Sequence, residues 1–191
     1  MQLIRRPVVL VPVAALGVLI VVSGLYLFQP WKLFTNTTVD EASPIAVSAS
    51  AQSTAQAPTP MPSASETSAR SAAMVSATGA FISHEHGTSG TASIITLPDG
   101  KRVLRIEDLD TSNGPDLKVW LTDAPVIDGP SGWLVFDDGA YVDLGALKGN
   151  KGSQNYAIPD DADLSDLTSV SIWCDRFSVS FGAAELAPVR T

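Results

Sequence analysis

Hydrophobic and polar positions divide the chain into three regimes. Behind Arg5 and Arg6, the residues from Pro7 to Phe28 are uncharged and mainly apolar. At helical rise a run of that length crosses a hydrocarbon core of roughly 30 Å, so it predicts a membrane-spanning helix. The positive-inside tendency places Arg5 and Arg6 in the cytoplasm and the rest of the chain outside it, with Tyr26, Phe28 and Trp31 suited to the outer interface. A cleaved signal peptide has an apolar core of about 7 to 15 residues and a small-x-small cleavage site. This run is longer, and the bulky Leu27-Phe28-Gln29-Pro30-Trp31-Lys32 at its end favours an uncleaved anchor. Residues 1–34 therefore read as a cytoplasmic basic start and a single span of the cell membrane, with an extracytoplasmic remainder.

From residue 35 to residue 78 the pattern lapses into Ala, Ser, Thr, Pro and Gln with almost no charge. Such a stretch buries too little apolar surface to offset its ordering entropy, which predicts a disordered linker. Its r.m.s. reach would be on the order of 35 to 40 Å, stiffened somewhat around Pro58, Pro60 and Pro62. Asn36-Thr37-Thr38 matches the glycosylation acceptor pattern, which has meaning only in a pathway that glycosylates.

Residues 79–191 carry period-two alternation broken by turn signals. Ala92–Leu97 and Arg102–Ile106 flank Pro98-Asp99-Gly100, turn chemistry suited to a hairpin. Leu117, Val119 and Leu121 share one face of a third strand. Further strands are expected at Tyr141–Leu144, Gln154–Ile158, Ser169–Asp175 and Phe177–Phe181, between turns at Asp128-Gly129-Pro130, Asp138-Gly139 and Gly149-Asn150-Lys151-Gly152. A single helical turn near Asp163 to Leu167 completes the set. The expected fold is all-β, an antiparallel β-sandwich behind one transmembrane helix and a linker.

Charge narrows the partners. Residues 79–191 hold seventeen acidic and eight basic side chains, which leaves nine net negative charges and argues against nucleic acid as a partner. The chain also lacks a P-loop, a dinucleotide fingerprint and a nucleophile elbow, so a conventional hydrolase or dehydrogenase is disfavoured.

The informative chemistry is a lone cysteine. Exported proteins normally use cysteines in pairs, so Cys174 is either an inert packing residue or a site of redox or ligand chemistry. Alternation places Val170, Ile172 and Cys174 on one side of their strand against Ser171 and Trp173 on the other, which puts the thiol on the core face. Reactivity needs a lowered pKa and access; Arg176 on the same face would favour the thiolate and Asp175 would oppose it.

His84 and His86 would point the same way on a strand, a spacing able to bind a transition metal with Cys174 as third ligand, but two histidines do not define a site, and near Glu85 in a Gly-rich approach they more often read as solvated loop residues. Glu107, Asp108, Asp110, Asp128, Asp137 and Asp138 offer oxygen ligands to calcium, but none fits the EF-hand spacing and turn carboxylates chiefly serve turn geometry and solubility. No complete metal site is expected.

Several separated motifs then carry a resemblance. Ser171-Ile172-Trp173-Cys174-Asp175-Arg176-Phe177-Ser178-Val179-Ser180-Phe181-Gly182 resembles the signature end of the DM-thirteen electron-transfer domain family. His86-Gly87-Thr88-Ser89-Gly90-Thr91-Ala92, Asn113-Gly114-Pro115-Asp116-Leu117 and Gly149-Asn150 through Ile158-Pro159 agree with it in order. The resemblance covers nearly all of the domain. It implies a β-sandwich with redox chemistry centred on Cys174, as a bare thiol or as ligand to haem or another redox group, and it favours His86 over His84 as a cofactor-binding residue. Members often stand beside DOMON and cytochrome domains, which this chain does not show, so an electron partner would be a separate redox protein.

Two functional classes follow. One is a membrane-tethered extracytoplasmic electron-transfer domain acting through Cys174. The other is a non-catalytic β-sandwich on a stalk that binds an envelope component, with Cys174 as core filling.

Overall fold

The computed structural model describes residues 7–45 and 72–189. Helix α1, Pro7–Phe28, is apolar throughout and bears no acidic residue in its first turn and no basic one in its last. Among the described residues it is the one helix long and apolar enough to cross a membrane, which is compatible with a single-pass anchor or a signal sequence. A short 3₁₀ segment, Pro30–Phe34, follows it.

Among the described residues ten strands come next: β1 Thr38–Asp40, β2 Met74–Ser83, β3 Ser89–Thr96, β4 Arg102–Asp110, β5 Leu117–Thr122, β6 Tyr141–Ala146, β7 Lys151–Ile158, β8 Ser169–Cys174, β9 Val179–Glu185 and β10 Ala187–Pro188. They form one continuous sheet in the order β1-β7-β4-β3-β2-β9-β8-β5-β6, with β10 added on β2. The all-β expectation holds, and the detail differs. Instead of two separate antiparallel sheets there is a single curled one, and it is mixed because β1 runs parallel to β7. The curl is made by β2, whose first part pairs with β3 while Phe81, Ile82 and Ser83 pair with β9.

Curling turns one face inward. Ala92, Ile94, Leu104 and Ile106 from one half meet Leu117, Val119, Leu121, Val170 and Ile172 from the other in the main core. Each fully buried aliphatic side chain there contributes roughly 1.5–3 kcal/mol relative to exposure. Strand β8 is buried on both faces, as its unbroken burial shows. Its outer face packs Trp173 against Trp120, Phe136 and Ala183, beneath the irregular segment between β5 and β6. The predicted hairpin joins β3 to β4, where Leu97 N–H donates to Lys101 O and Gly100 adopts φ +85°. The expected helical turn is one turn closed by Leu167 N–H on Asp163 O.

Two boundaries depart from the composition. Residues 35–45, read as the start of a linker, are built into the domain. Val39 pairs with Gly152, Arg105 Nη1 donates to Glu41 O at 2.6 Å, and Asn155 N–H donates to a Glu41 carboxylate oxygen at 2.7 Å. The acceptor Asn36 is engaged too, its Oδ1 taking a hydrogen bond from Asn150 Nδ2 at 2.8 Å. At the other end β2 begins at Met74, ahead of the boundary expected at Gly79. The linker expected between these points, residues 46–71, lies outside the described residues. The domain is thus joined to α1 by a short docked segment rather than through the full length of the Ala/Ser/Thr/Pro stretch.

Candidate functional site

Cys174 ends β8 with no exposed surface and belongs to the main core. The alternation read from the sequence is correct: Val170, Ile172 and Cys174 lie in that core, and Trp173 lies on the opposite face. Directly after the cysteine the chain turns through Asp175–Ser178, with Phe177 N–H on Cys174 O at 3.2 Å and Ser178 at φ +48°. The strand expected over Phe177–Phe181 starts only at Val179, because that turn takes up Phe177 and Ser178.

Burial pushes the Cys174 thiol above its ordinary pKa. The backbone N–H groups of Phe177, Arg176 and Asp116 act in the opposite direction, and the Asp116 carboxylate adds to the rise. Both charged neighbours named from sequence are therefore replaced. Arg176 and Asp175 sit in the exposed turn, so Arg176 contributes through its backbone, and Asp116 is the carboxylate that opposes the thiolate.

The two histidines separate because β2 ends at Ser83, before either of them, so strand alternation does not apply. His84 is buried on the outer-face side, its Nδ1 bonded to Ser180 Oγ at 2.9 Å and its ring 5.6 Å from Phe136. His86 instead packs on Phe181 at 3.9 Å between ring centroids, and its Nε2 pairs with Glu85 Oε2 at 2.5 Å. They do not form a shared metal site with Cys174. Among the described residues no three His, Cys, Asp or Glu side chains cluster to hold a metal ion.

Between the end of α1 and this end of the sheet lies a pocket of about 560 Å³. One wall is Phe28, Gln29, Pro30 and Lys32. The other is made by Glu85 and His86, by Gly114 and Pro115, and by Phe177, Val179 and Phe181, with Leu134 at its side. Phe28 stacks on Phe177 at 5.8 Å, and Lys32 Nζ reaches Pro115 O at 3.4 Å. Cys174 does not line this pocket. Its cross-strand partners are Val179, which does, and Leu117.

The site therefore fits haem poorly. A ligating thiolate would have to come from a sulfur that is fully buried behind the pocket wall, and the Nε2 of His86 is already held by Glu85.

Thr88 and Gly182, which the sequence places in the motifs around His86 and Cys174 without a role, shape this end of the sheet. Thr88 Oγ1 bonds Thr111 Oγ1 at 2.8 Å and Phe181 O at 2.9 Å, and a Cβ on Gly182 would lie 2.5 Å from Thr88 Cβ. Thr88 and Gly182 thus lock the loop bearing His86 onto the strand bearing Phe181. The adjacency of Glu85 to His86 was visible in sequence; the approach of Lys32 and Phe28 was not, since composition assigned them to the exit of the anchor.

Compared with curated proteins and with solved structures, the chain finds no match. Residues 80–186, more than half of the chain, match the family described as electron transfer DM13, whose span takes in His86, the Asn113–Leu117 and Gly149–Pro159 segments and Cys174, and the chain belongs to that family.

Proposed function

We propose that this chain is a membrane-anchored, extracytoplasmic electron-transfer domain whose redox group is Cys174, working beside the pocket that holds His86. The observation that carries the reading is convergence. The segment from His86 to Ala92, the Asn113–Leu117 segment and the segment after Cys174, distant in sequence, supply His86, Gly114, Pro115, Phe177, Val179 and Phe181 to one pocket. Electron transfer as the general role agrees with the family.

Burial sets the kind of chemistry. A thiol whose pKa is pushed up keeps its proton at neutral pH, so an electron leaves the sulfur together with that proton. Oxidation leaves a thiyl radical at Cys174: the electron reduces a separate one-electron redox protein or a small carrier in the pocket by one electron, and the proton is taken up by that carrier or by solvent. Bulk oxidants are kept from the sulfur by the same burial.

A second reading keeps the module and drops the redox role: the complete burial of Cys174 is also what a small core-filling residue shows. The full chain in detergent micelles, poised with mediators over a range of potentials, quenched in acid and alkylated, separates the two. Reversible loss and return of the Cys174 thiol, absent in Cys174→Ser, is expected for the redox reading. A thiol that stays alkylatable at every potential supports the binding module instead.

A further inference from the structure

The geometry points to the pocket between α1 and the sheet as a binding site for the ring of a lipid-borne quinone. This inference deepens the electron-transfer reading of the same site and rests on α1 lying in a membrane.

Three features select that chemical class. First, the walls are flat and apolar. Phe28 and Phe177 stack on one another within 21° of parallel and the Phe181 ring is covered by His86, so a planar ring has the outward faces of the exposed Phe28 and Phe177 to stack on. Second, the polar groups are few and face oxygen. Lys32 donates, while His86 is held through Nε2 by Glu85, which orients the imidazole and leaves Nδ1 with no hydrogen bond among the described residues. With Nε2–H held by the Glu85 carboxylate, Nδ1 is an acceptor, so a neutral ring with two opposed oxygens suits the pair: one oxygen accepts from Lys32, and the other, as the hydroxyl of the reduced quinol, donates to Nδ1. An anionic ligand would meet the Glu85 carboxylate, and a cationic one would meet Lys32.

Third, position selects a lipid-borne ligand. The pocket wall is continuous with the last residues of the apolar helix, so Phe28 and Lys32 stand where that helix leaves a bilayer. A ring can enter the pocket there while its isoprenoid tail stays among the acyl chains. The docked strand β1 holds the domain close to that level, since only Gln29 to Thr37 separate α1 from it. At about 560 Å³ the cavity lies within the size range of small-molecule sites.

The test uses the full chain in lipid nanodiscs, titrated with decylubiquinone and followed by isothermal calorimetry. Saturable binding is expected. It should weaken at least tenfold in Leu134→Trp, which fills the pocket from an exposed side chain, and in Phe177→Ala, which removes the stacking ring. Because both positions are exposed, circular dichroism and melting should report an intact fold. Tyr141→Ala, an exposed aromatic that does not line the pocket, should bind as wild type does.

Binding that survives both pocket variants, or decanol binding as tightly as decylubiquinone, overturns the inference, the second because it marks a generic apolar cleft. The two readings fail separately. Decylubiquinone binding retained alongside a Cys174 thiol that never cycles would sustain the pocket and discard the thiol chemistry; a cycling thiol with no saturable binding would do the reverse.

Discussion

Gly152 and Val39 approach so closely that a Cβ on Gly152 would stand 2.1 Å from the Val39 carbonyl oxygen, and Gly152 holds φ +93°. Gly149 is similarly constrained, its missing Cβ lying 2.6 Å from Thr37 O. A four-residue segment that reads as turn chemistry is therefore the seat on which β1 docks, and β1 joins the Phe28–Phe177 and Lys32–Pro115 contacts in keeping the domain next to α1.

Gly152→Ala should accordingly displace β1 while leaving the rest of the sheet in place. The strained φ and the clash together cost about 1–3 kcal/mol, and release of β1 is the cheapest relief. Hydrogen exchange reports it: the Glu41 amide, bonded to Ser153 O at 2.8 Å, should exchange at least tenfold faster, while the Ile106 amide keeps its protection. An unchanged Glu41 amide would show that the strand accommodates the methyl.

Cys174 should behave as a packed thiol toward solvent reagents. Native protein at neutral pH is expected to react with a bulky disulfide reagent at least a hundredfold more slowly than denatured protein, and Cys174→Ala should cost about 1–2 kcal/mol in urea unfolding. Because folding raises the thiol pKa, the fold binds the proton more tightly than the unfolded chain does. That stabilisation is complete below the unfolded thiol pKa, near 8.5, and fades as pH rises above it. The stability gap between wild type and Cys174→Ala should shrink between pH 8 and 10; a constant gap would contradict the raised pKa.

Much of the fold was legible because alternation in β3, β4, β5 and β8 maps directly onto core and outer faces. What escaped was strand existence where side chains say little. β1 is three residues, Thr38-Val39-Asp40, held through its backbone, through Asn150 and through the glycines opposite it, so composition had no apolar signal to offer. The site was half legible. The motifs around His86 and Cys174 could be picked out, but their relation depends on where β2 ends and on the turn after Cys174, neither of which periodicity fixes. Hence His84 and His86, which would share a side only on a strand, part company, and Arg176 meets the sulfur with its amide instead of its charge.

Tyr156 offers a second pH signature, at the base of the β1 seat. It is buried, its hydroxyl donates to Gln154 Oε1 at 2.7 Å and accepts from Lys148 N–H at 3.0 Å, and burial pushes its pKa up to about 12. A folded pKa above the usual value of about 10 stabilises the native state below pH 10 and is lost progressively from pH 10 to 12, about 2–3 kcal/mol in all. Denaturation of Tyr156→Phe should start from a lower stability, by about 1–2 kcal/mol for the lost hydrogen bonds, and fall less steeply across that window. Parallel slopes for the two proteins would rule out Tyr156 as the titrating group.

His84 carries the opposite sign and links pH to the loop that bears Leu134. Its ring sits by Phe136 on the outer-face side, Nδ1 bonds Ser180 Oγ, and Ser171 Oγ continues the chain to Ser180 at 3.0 Å. Nε2 is buried without a hydrogen bond of normal geometry, and burial lowers the pKa, with the Ile127 backbone and the Asp128 charge opposing it in part. A lowered folded pKa means that the fold excludes a proton the unfolded chain accepts. Stability is full above the unfolded value of about 6.5 and is lost as pH falls through it toward the folded pKa. Protonation strains the segment that passes over the ring and is fastened to β9 by Ser180 N–H on Trp133 O at 2.8 Å. Between pH 7 and pH 5, the Ser180 amide should lose exchange protection faster in wild type than in His84→Gln, and the His84 ring should titrate below 6.5 by NMR. A midpoint at or above 6.5 would mean that water or a carbonyl satisfies Nε2 in solution, and the loop would then be insensitive to acid.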